Sequence, residues 1–369
     1  MYRGMLGLVV AAAAAAAITV PAGSAFAAPA GGLPGGDGQV QVLAAAGSDT
    51  TQDVMGAILG AYRTDAAANP DGDVTVNIPV RPAGLTVPGD ATCAARSYVP
   101  AGQENPPSSY PAPSGSGQGK TALADPANRA TACIDIARSS SGRGASDPAE
   151  FEYYGFAKDA VSVAAYPGAA PDGLTLAQLR GIYACSLTNW SQVGGQDAPI
   201  VRYLPPAGSG TRSFFTGTVL GAEPSASCGE VRIAAENDGS AVPAADRATA
   251  ILPYSAAQWI AQANGVVADL RDGIRIGAID GASPVTGPDA DGHYAPNAAV
   301  IATFPGSRTV YNVLDTRLPS YGQALRVVGS GAAGPGFLCS GSAAVTALLT
   351  RYGFTPLPAG ADGSTCVRS

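Results

Sequence analysis

The sequence predicts an α/β protein whose sheets are largely parallel and flanked by helices. Three observations lead there. Short apolar runs alternate with segments whose apolar residues recur at helical spacing, the pattern of strand–helix units. Several of these runs break into small polar turns that open directly onto a helix, and in such sheets ligands sit at the carboxyl ends of strands. The chain has 369 residues, enough for two domains.

The first segment stands outside that pattern. Arg3 supplies a positive start, residues 6–20 are apolar, and Ala25-Phe26-Ala27 fits a small-x-small cleavage site, so residues 1–27 read as a signal peptide. No later stretch is long and apolar enough for a membrane span, and no membrane insertion is expected. The first cysteine is Cys93, so none stands near the cleavage site to carry a lipid anchor. A secreted, extracellular protein is expected, with the cell wall as the alternative place. Residues 28–38, rich in Ala, Pro and Gly, read as a flexible leader.

Formal net charge is −7, and removal of Arg3 makes it −8. A net acidic chain argues against nucleic acid and anionic membranes as partners, and any anion site has to be built locally against the overall field. Only 13% of residues are charged, while Gly numbers 48 and Pro 30. Because apolar periodic segments recur throughout, this composition reads as a rigid, loop-rich exported protein rather than as disorder. The six cysteines are an even number, and export makes disulfides the expectation. The sequential pairing, Cys93–Cys133, Cys185–Cys228 and Cys339–Cys366, is favoured because each bridge would clip a long Gly/Pro-rich segment. With no CxxC and one histidine, His293, no Cys/His zinc site is expected, nor any other metal or cofactor.

Residues 40–46 form a strand candidate running into Gly47-Ser48-Asp49-Thr50-Thr51. A helix follows with Val54, Ala57, Ile58, Ala61 and Tyr62 on one face, and Asp53 in its first turn suits the dipole. Val74, Val76 and Ile78 alternate as the next strand. Residues 81–131 read as a long Pro/Gly/Ser-rich loop held by the Cys93–Cys133 bridge. Within it Ser114-Gly115-Ser116-Gly117-Gln118-Gly119-Lys120-Thr121 is a near miss for a P-loop. Ser114 replaces the first Gly and Pro-rich sequence precedes it, so a loop is expected there. Residues 134–137 are a short strand leading to Arg138-Ser139-Ser140-Ser141, and residues 156–164 read as a strand passing from one domain to another.

Residues 174–183 are an amphipathic helix capped by Thr175, with Leu176, Leu179, Ile182 and Tyr183 as its buried stripe; Trp190 reads as core. Residues 200–204 form a strand that opens into Gly208-Ser209-Gly210-Thr211-Arg212 and then a helix. A helix start there leaves backbone N–H groups and the positive end of the dipole facing one point. Gly208 and Gly210 permit close approach of a ligand, Ser209 and Thr211 add hydroxyls, and Arg212 adds a guanidinium. That is an oxyanion-binding design. Residues 251–255 lead into a helix through Trp259 and Ile260. Residues 289–293 alternate acids but lack the further ligands of a calcium loop and read as a turn. Residues 299–304 and 309–314 are expected strands, and residues 341–352 a last helix.

Three turns after strands therefore carry the candidate ligand-binding residues: Ser48, Asp49, Thr50 and Thr51; Arg138, Ser139 and Ser140; and Gly208, Ser209, Gly210, Thr211 and Arg212. No catalytic histidine or carboxylate pair adjoins them. Binding without chemistry is expected, and not an enzyme.

These turns resemble those of the extracellular phosphate-binding protein of high-affinity phosphate ABC transporters, in an actinobacterial-type secreted form. The likeness is carried by Gly47-Ser48-Asp49-Thr50-Thr51, Arg138-Ser139-Ser140-Ser141, Gly208-Ser209-Gly210-Thr211, residues 174–190 ending in Thr188-Asn189-Trp190, and Tyr311-Asn312-Val313. It implies a type II periplasmic-binding-protein fold: lobes of residues 39–157 plus 299–369 and of residues 158–298, joined by two crossovers and closing on inorganic phosphate. It also implies an ABC permease as partner, and a monomer is expected. Two positions depart. The family usually has an Asp in its second turn, able to accept the proton of monobasic phosphate, where this chain has Ser140. It also tends to carry an Arg just before the Ser-Gly-Thr turn, where this chain has Pro205 and Pro206; Arg202 is further upstream and Arg212 follows. A site of donors alone would suit a fully ionised anion such as sulfate, unless Asp49 is the acceptor. Two alternatives share the scaffold. A secreted phosphate-ester hydrolase would need a nucleophile beside a base, or metals, and Ala207 denies Ser209 the G-x-S-x-G setting. A surface interaction protein would keep the fold with a degenerate pocket.

Overall fold

The computed structural model describes residues 38–80, 85–86, 97–99, 102–103, 109–131 and 133–369. The expected signal peptide and Cys93 lie outside the described residues. One mixed sheet of eleven strands organises the chain. The strands are β1 (Val42–Gly47), β2 (Val74–Asn77), β3 (Ile136–Ser139), β4 (Phe151–Ala165), β5 (Val201–Leu204), β6 (Arg232–Ile233), β7 (Ala250–Ser255), β8 (Arg275–Ile276), β9 (Ser307–Asp315), β10 (Thr355–Pro356) and β11 (Val367–Arg368). Their order is β6-β5-β7-β4-β9-β3-β1-β2, and β8, β10 and β11 also pair with β4.

The sheet has two parallel wings and an antiparallel centre. In one wing β1 pairs with β2 and β3; in the other β5 pairs with β6 and β7. Between them β4 runs antiparallel to both β7 and β9, and β9 runs antiparallel to β3. The fifteen residues of β4 serve both wings: Phe151 to Ala160 face β9, and Val161 to Ala165 face β7. Residues 156–164 are thus part of a strand, as expected, and the α/β class is found.

The helices that flank the sheet include α1 (Gln52–Thr64), α2 (Ser116–Ala124), α3 (Leu176–Tyr183), α4 (Gly210–Phe214), α5 (Ala256–Ala263), α6 (Tyr321–Val328) and α7 (Ala343–Arg351). α1 buries Val54, Met55, Ile58, Leu59 and Tyr62, a stripe at helical spacing that packs with Leu43, Phe156, Val327 and Leu349. α3 starts at a capping box, in which Thr175 and Gln178 each accept the other's backbone N–H through the side chain. Its stripe, Leu179, Ile182 and Tyr183, packs with Trp190, Phe215 and Ile251 in a separate core on the other wing. Each such side chain contributes about 1.5–3 kcal/mol by leaving water. Trp190 is core, as expected, and its indole N–H donates to the Thr249 carbonyl at 3.0 Å. Cys185–Cys228 and Cys339–Cys366 are bridged; Cys133 is disulfide-bonded too, and its expected partner Cys93 lies outside the described residues.

Two local expectations are corrected. Residues 299–304 are not a strand. Asn297 caps a short helix, Ala298–Ile301, by accepting the Val300 N–H, so a local cap overrides an apolar run too short to fix its own period. The P-loop-like stretch is not a loop either, because it becomes the N-terminal part of α2. A helix start needs no strand before it, and here two glycines make the contact. A Cβ on Gly119 would lie 2.6 Å from the Gly47 Cα, and one on Gly47 would lie 2.5 Å from the Arg138 carbonyl. The absence of side chains lets α2 press against the ends of β1 and β3.

Just before β3, Asp135 is buried, accepting the Ala44 N–H at 2.7 Å and the Ser320 hydroxyl. Burial raises its pKa to about 7, against the pull of those two hydrogen bonds. A carboxyl raised in the folded state contributes stability at pH values below its unfolded pKa and loses it as pH rises through the folded one. Asp135→Asn, which keeps the shape and whose amide oxygen can accept the Ala44 N–H while its amide nitrogen donates to the Ser320 hydroxyl oxygen, is expected to flatten this dependence. Melting curves should show the parent losing stability relative to the variant between about pH 4 and 7. A constant difference across that window would contradict it.

Candidate anion site

The turn after β1 leads into α1, so Thr50 sits at a helix start with its side chain fully buried. The turn after β5 ends at Ser209, whose Oγ caps α4 by accepting the Arg212 N–H at 3.0 Å. Although Thr50 and Thr211 are 161 residues apart in sequence, their Oγ1 atoms lie 3.3 Å apart. Both hydroxyls donate to one carboxylate oxygen, Oε1 of Glu236, from Thr50 at 2.9 Å.

Arg308 supplies the cation. It donates through Nη1 to Thr211 Oγ1 at 2.9 Å and through Nη2 to Thr50 Oγ1 at 3.2 Å. Register places Arg308 of β9 directly opposite Asp159 of β4, and Nε and Nη2 meet Asp159 Oδ2 at 2.9 and 2.7 Å. Asp159 also accepts the Ser255 hydroxyl at 2.9 Å and the Ala257 N–H at 3.1 Å. The pair is almost wholly buried, and this dense hydrogen bonding offsets the desolvation of both charges.

α2 brings a further turn to the same place. Ser116 Oγ accepts the Ser140 N–H at 2.9 Å and lies 3.3 Å from Ser140 Oγ, while the Gly117 N–H donates to the Gly208 carbonyl at 3.1 Å. A Cβ on Gly210 would stand 2.4 Å from both the Ser116 and the Ser140 Oγ. A side chain there would displace both hydroxyls. Arg308 Nη1 also reaches the Ser140 carbonyl at 3.4 Å.

The structure thus brings Thr50, Ser140, Gly208, Ser209, Gly210 and Thr211 together. The remaining expected residues sit differently. Arg138 does not face the cluster: its guanidinium donates to the Ala45 carbonyl and Asn77 at 2.8 and 2.7 Å, and to the Ile78 and Ser48 carbonyls at 3.0 and 3.3 Å. It ties strand ends together, and burial lowers its pKa to about 10, which leaves it charged at neutral pH. Arg212 closes its own turn on the Pro205 carbonyl at 3.1 Å. Ser139 donates to the Ser141 carbonyl at 2.7 Å. Asp49 accepts the Asn237 amide at 2.9 Å. Ser48 Oγ and Thr51 Oγ1 are buried without a hydrogen-bond partner among the described residues.

Sequence reasoning missed Ser116, Asp159, Glu236 and Arg308. A signal existed for two of them. Arg308 lies in phase with Val310 and Asn312 on the buried side of β9, and Asp159 lies in phase with Ala157, Val161 and Val163 on β4. A charge in phase with a core face needs a partner. Glu236 changes the chemistry expected of the site, because it adds an acceptor to a set of donors. Hydroxyls from both wings, a guanidinium between them and one carboxylate can together hold a single small oxyanion that carries a proton.

Among the described residues no helix is long and apolar enough to cross a membrane. Residues 88–318 match the model of a PBP superfamily domain. Two solved structures share the fold. A phosphate ABC transporter substrate-binding protein from Clostridium perfringens, described with bound phosphate, is 17% identical and aligns over 86% of this chain and 100% of its own, with a TM-score of 0.56. An ABC-type phosphate transport receptor from Vibrio cholerae is also 17% identical, over 86% and 100%, with a TM-score of 0.50. With its two parallel wings, its paired central strands and this match over more than half its length, the chain belongs to the PBP (periplasmic-binding-protein-like) superfamily.

Proposed function

We propose that this chain is a secreted solute-binding protein that captures phosphate, or a similar tetrahedral oxyanion, between two lobes for ABC-type uptake. The lobes are residues 39–157 with 299–369, and residues 158–298. The ligand-binding set is Thr50, Ser116, Ser140, Ser209, Gly210, Thr211, Glu236 and Arg308. One observation carries the reading: Thr50 and Thr211, one from each wing, donate to a single carboxylate oxygen while Arg308 donates to both hydroxyls. Donors that converge on one anionic oxygen can converge on another. The start of α4 adds N–H groups that have no partner within the helix. The Clostridium perfringens structure, described with bound phosphate, supports the choice of ligand.

Glu236 bears on selectivity. Phosphate carries a proton near neutral pH and can donate it in a hydrogen bond to the carboxylate; sulfate has none to give and meets only repulsion. The hydrolase alternative is not favoured, because the Ser209 hydroxyl oxygen caps its own helix. Disulfides and the absence of a membrane-crossing helix among the described residues are consistent with export.

Thr50→Val and Thr211→Val are each expected to weaken phosphate binding by about 1–3 kcal/mol, the size of a charge-assisted hydrogen bond, measured by calorimetry. Affinity unchanged in both would remove the threonines from the site. Arg308 is a poor target, since its loss leaves Asp159 buried and unpaired at a cost of about 3–5 kcal/mol in stability. Glu236→Gln is expected to shrink the preference for phosphate over sulfate in competition titrations. A selectivity ratio equal to the parent's would show that the carboxylate plays no part in it.

A further inference from the structure

Next to the threonine cluster lies a cavity of about 220 Å³. At about 30 Å³ per water molecule it spans the volume of about seven waters, more space than one tetrahedral anion needs. Both wings line it: Asp49, Asp53 and Val80 on one side, Glu236, Gln262 and Leu270 on the other. It adjoins the cluster through two residues, and Thr50, Thr211 and Arg308 are not among those that line it. Glu236 accepts both threonine hydroxyls and Gln258 donates to the Thr50 carbonyl at 2.7 Å, and both residues also line the cavity. A ligand held by Thr50, Thr211 and Arg308 would therefore have this space beside it.

The walls indicate what could fill it. The ionisable groups among the described lining residues are Asp49, Asp53 and Glu236, all acidic. Arg138 acts on Asp49 and Asp53 through the field, with its guanidinium engaged by backbone carbonyls and Asn77, and Arg308 reaches Glu236 through the two threonine hydroxyls while its own ion pair is with Asp159. The amides are committed to the fold. Gln262 Oε1 accepts the Tyr254 hydroxyl and the Leu270 N–H, and its Nε2 donates to the Asn237 carbonyl; Gln52 Oε1 accepts the Val80 N–H. Pro79, Val80, Val267 and Leu270 add apolar surface. An anion site opening onto a small space with acidic and aliphatic walls suits a molecule that is negative at one end and positive at the other, with a short carbon arm between.

We propose that the ligand class of this site is a zwitterionic phosphate monoester or phosphonate bearing a primary amine, its phosphoryl group on the threonine–arginine cluster and its amine against the cavity carboxylates. This rests on the cluster being an oxyanion site. Calorimetry with inorganic phosphate, ethyl phosphate, phosphoethanolamine and 2-aminoethylphosphonate tests it. At least one of the two amine-bearing probes is expected to bind about tenfold tighter than ethyl phosphate, the scale of one partly buried charge pair, and which of them does so separates ester from phosphonate. Asp53→Asn should narrow that gap. Ala268→Trp, at an exposed rim position, should abolish binding of the amine-bearing probes and leave inorganic phosphate bound as in the parent. The proposal is overturned if neither amine-bearing probe exceeds ethyl phosphate, or if Ala268→Trp leaves their binding intact. Binding of inorganic phosphate alone would overturn it while sparing the oxyanion reading, whereas binding of no probe would end both.

Discussion

The buried ion pair between Arg308 and Asp159 is the interaction on which the site depends. It joins the two central strands, β9 and β4, where the two parallel wings meet. Two of the guanidinium nitrogens fix the pair through Asp159 Oδ2, and the nitrogens turned toward the threonines give each wing a shared partner. Placed on a loop, the same cation would have to be ordered anew on each binding event. On paired strands it is held in position by the backbone ladder, so ligand capture need not order it. Where this chain has Pro205 and Pro206 before the Ser-Gly-Thr turn, a cation reaches the Thr211 hydroxyl from β9 instead.

Glycine placement is the second constraint. Gly47, Gly119 and Gly210 stand where β-carbons would collide with neighbouring backbone or with the Ser116 and Ser140 hydroxyls. The first two let α2 reach the strand ends, and the third lets α4 reach α2. Four chain segments thus meet within hydrogen-bond distance, although the overall charge of the chain is negative. The local field is set by the Arg308–Asp159 pair, the Glu236 carboxylate, helix ends and hydroxyls.

Much of this was legible in the residues. The strand–turn–helix units around Ser48 and Ser209 and the strand end at Ser139 are short-range patterns, and turn chemistry is local. The bridges Cys185–Cys228 and Cys339–Cys366 followed from spacing and export. What stayed hidden depends on long-range register. Glu236 meets Thr50 across 186 positions and Arg308 meets Asp159 across 149, and no window of sequence contains either pair. Arg138 and Arg212 drew attention because they adjoin hydroxyl clusters, yet orphan carbonyls at strand and turn ends claim their guanidinium groups. α2 was obscured by the Pro-rich stretch before it, and its N-cap, Gly115, offers no side chain to signal a helix start.

The most direct measurement is a crystal structure of the protein grown in saturating phosphate. The account predicts one tetrahedral anion within hydrogen-bond distance of Thr50 Oγ1, Thr211 Oγ1 and Arg308, with a protonated ligand oxygen facing Glu236. Phosphate bound only elsewhere, with both threonine hydroxyls still on Glu236, would contradict it.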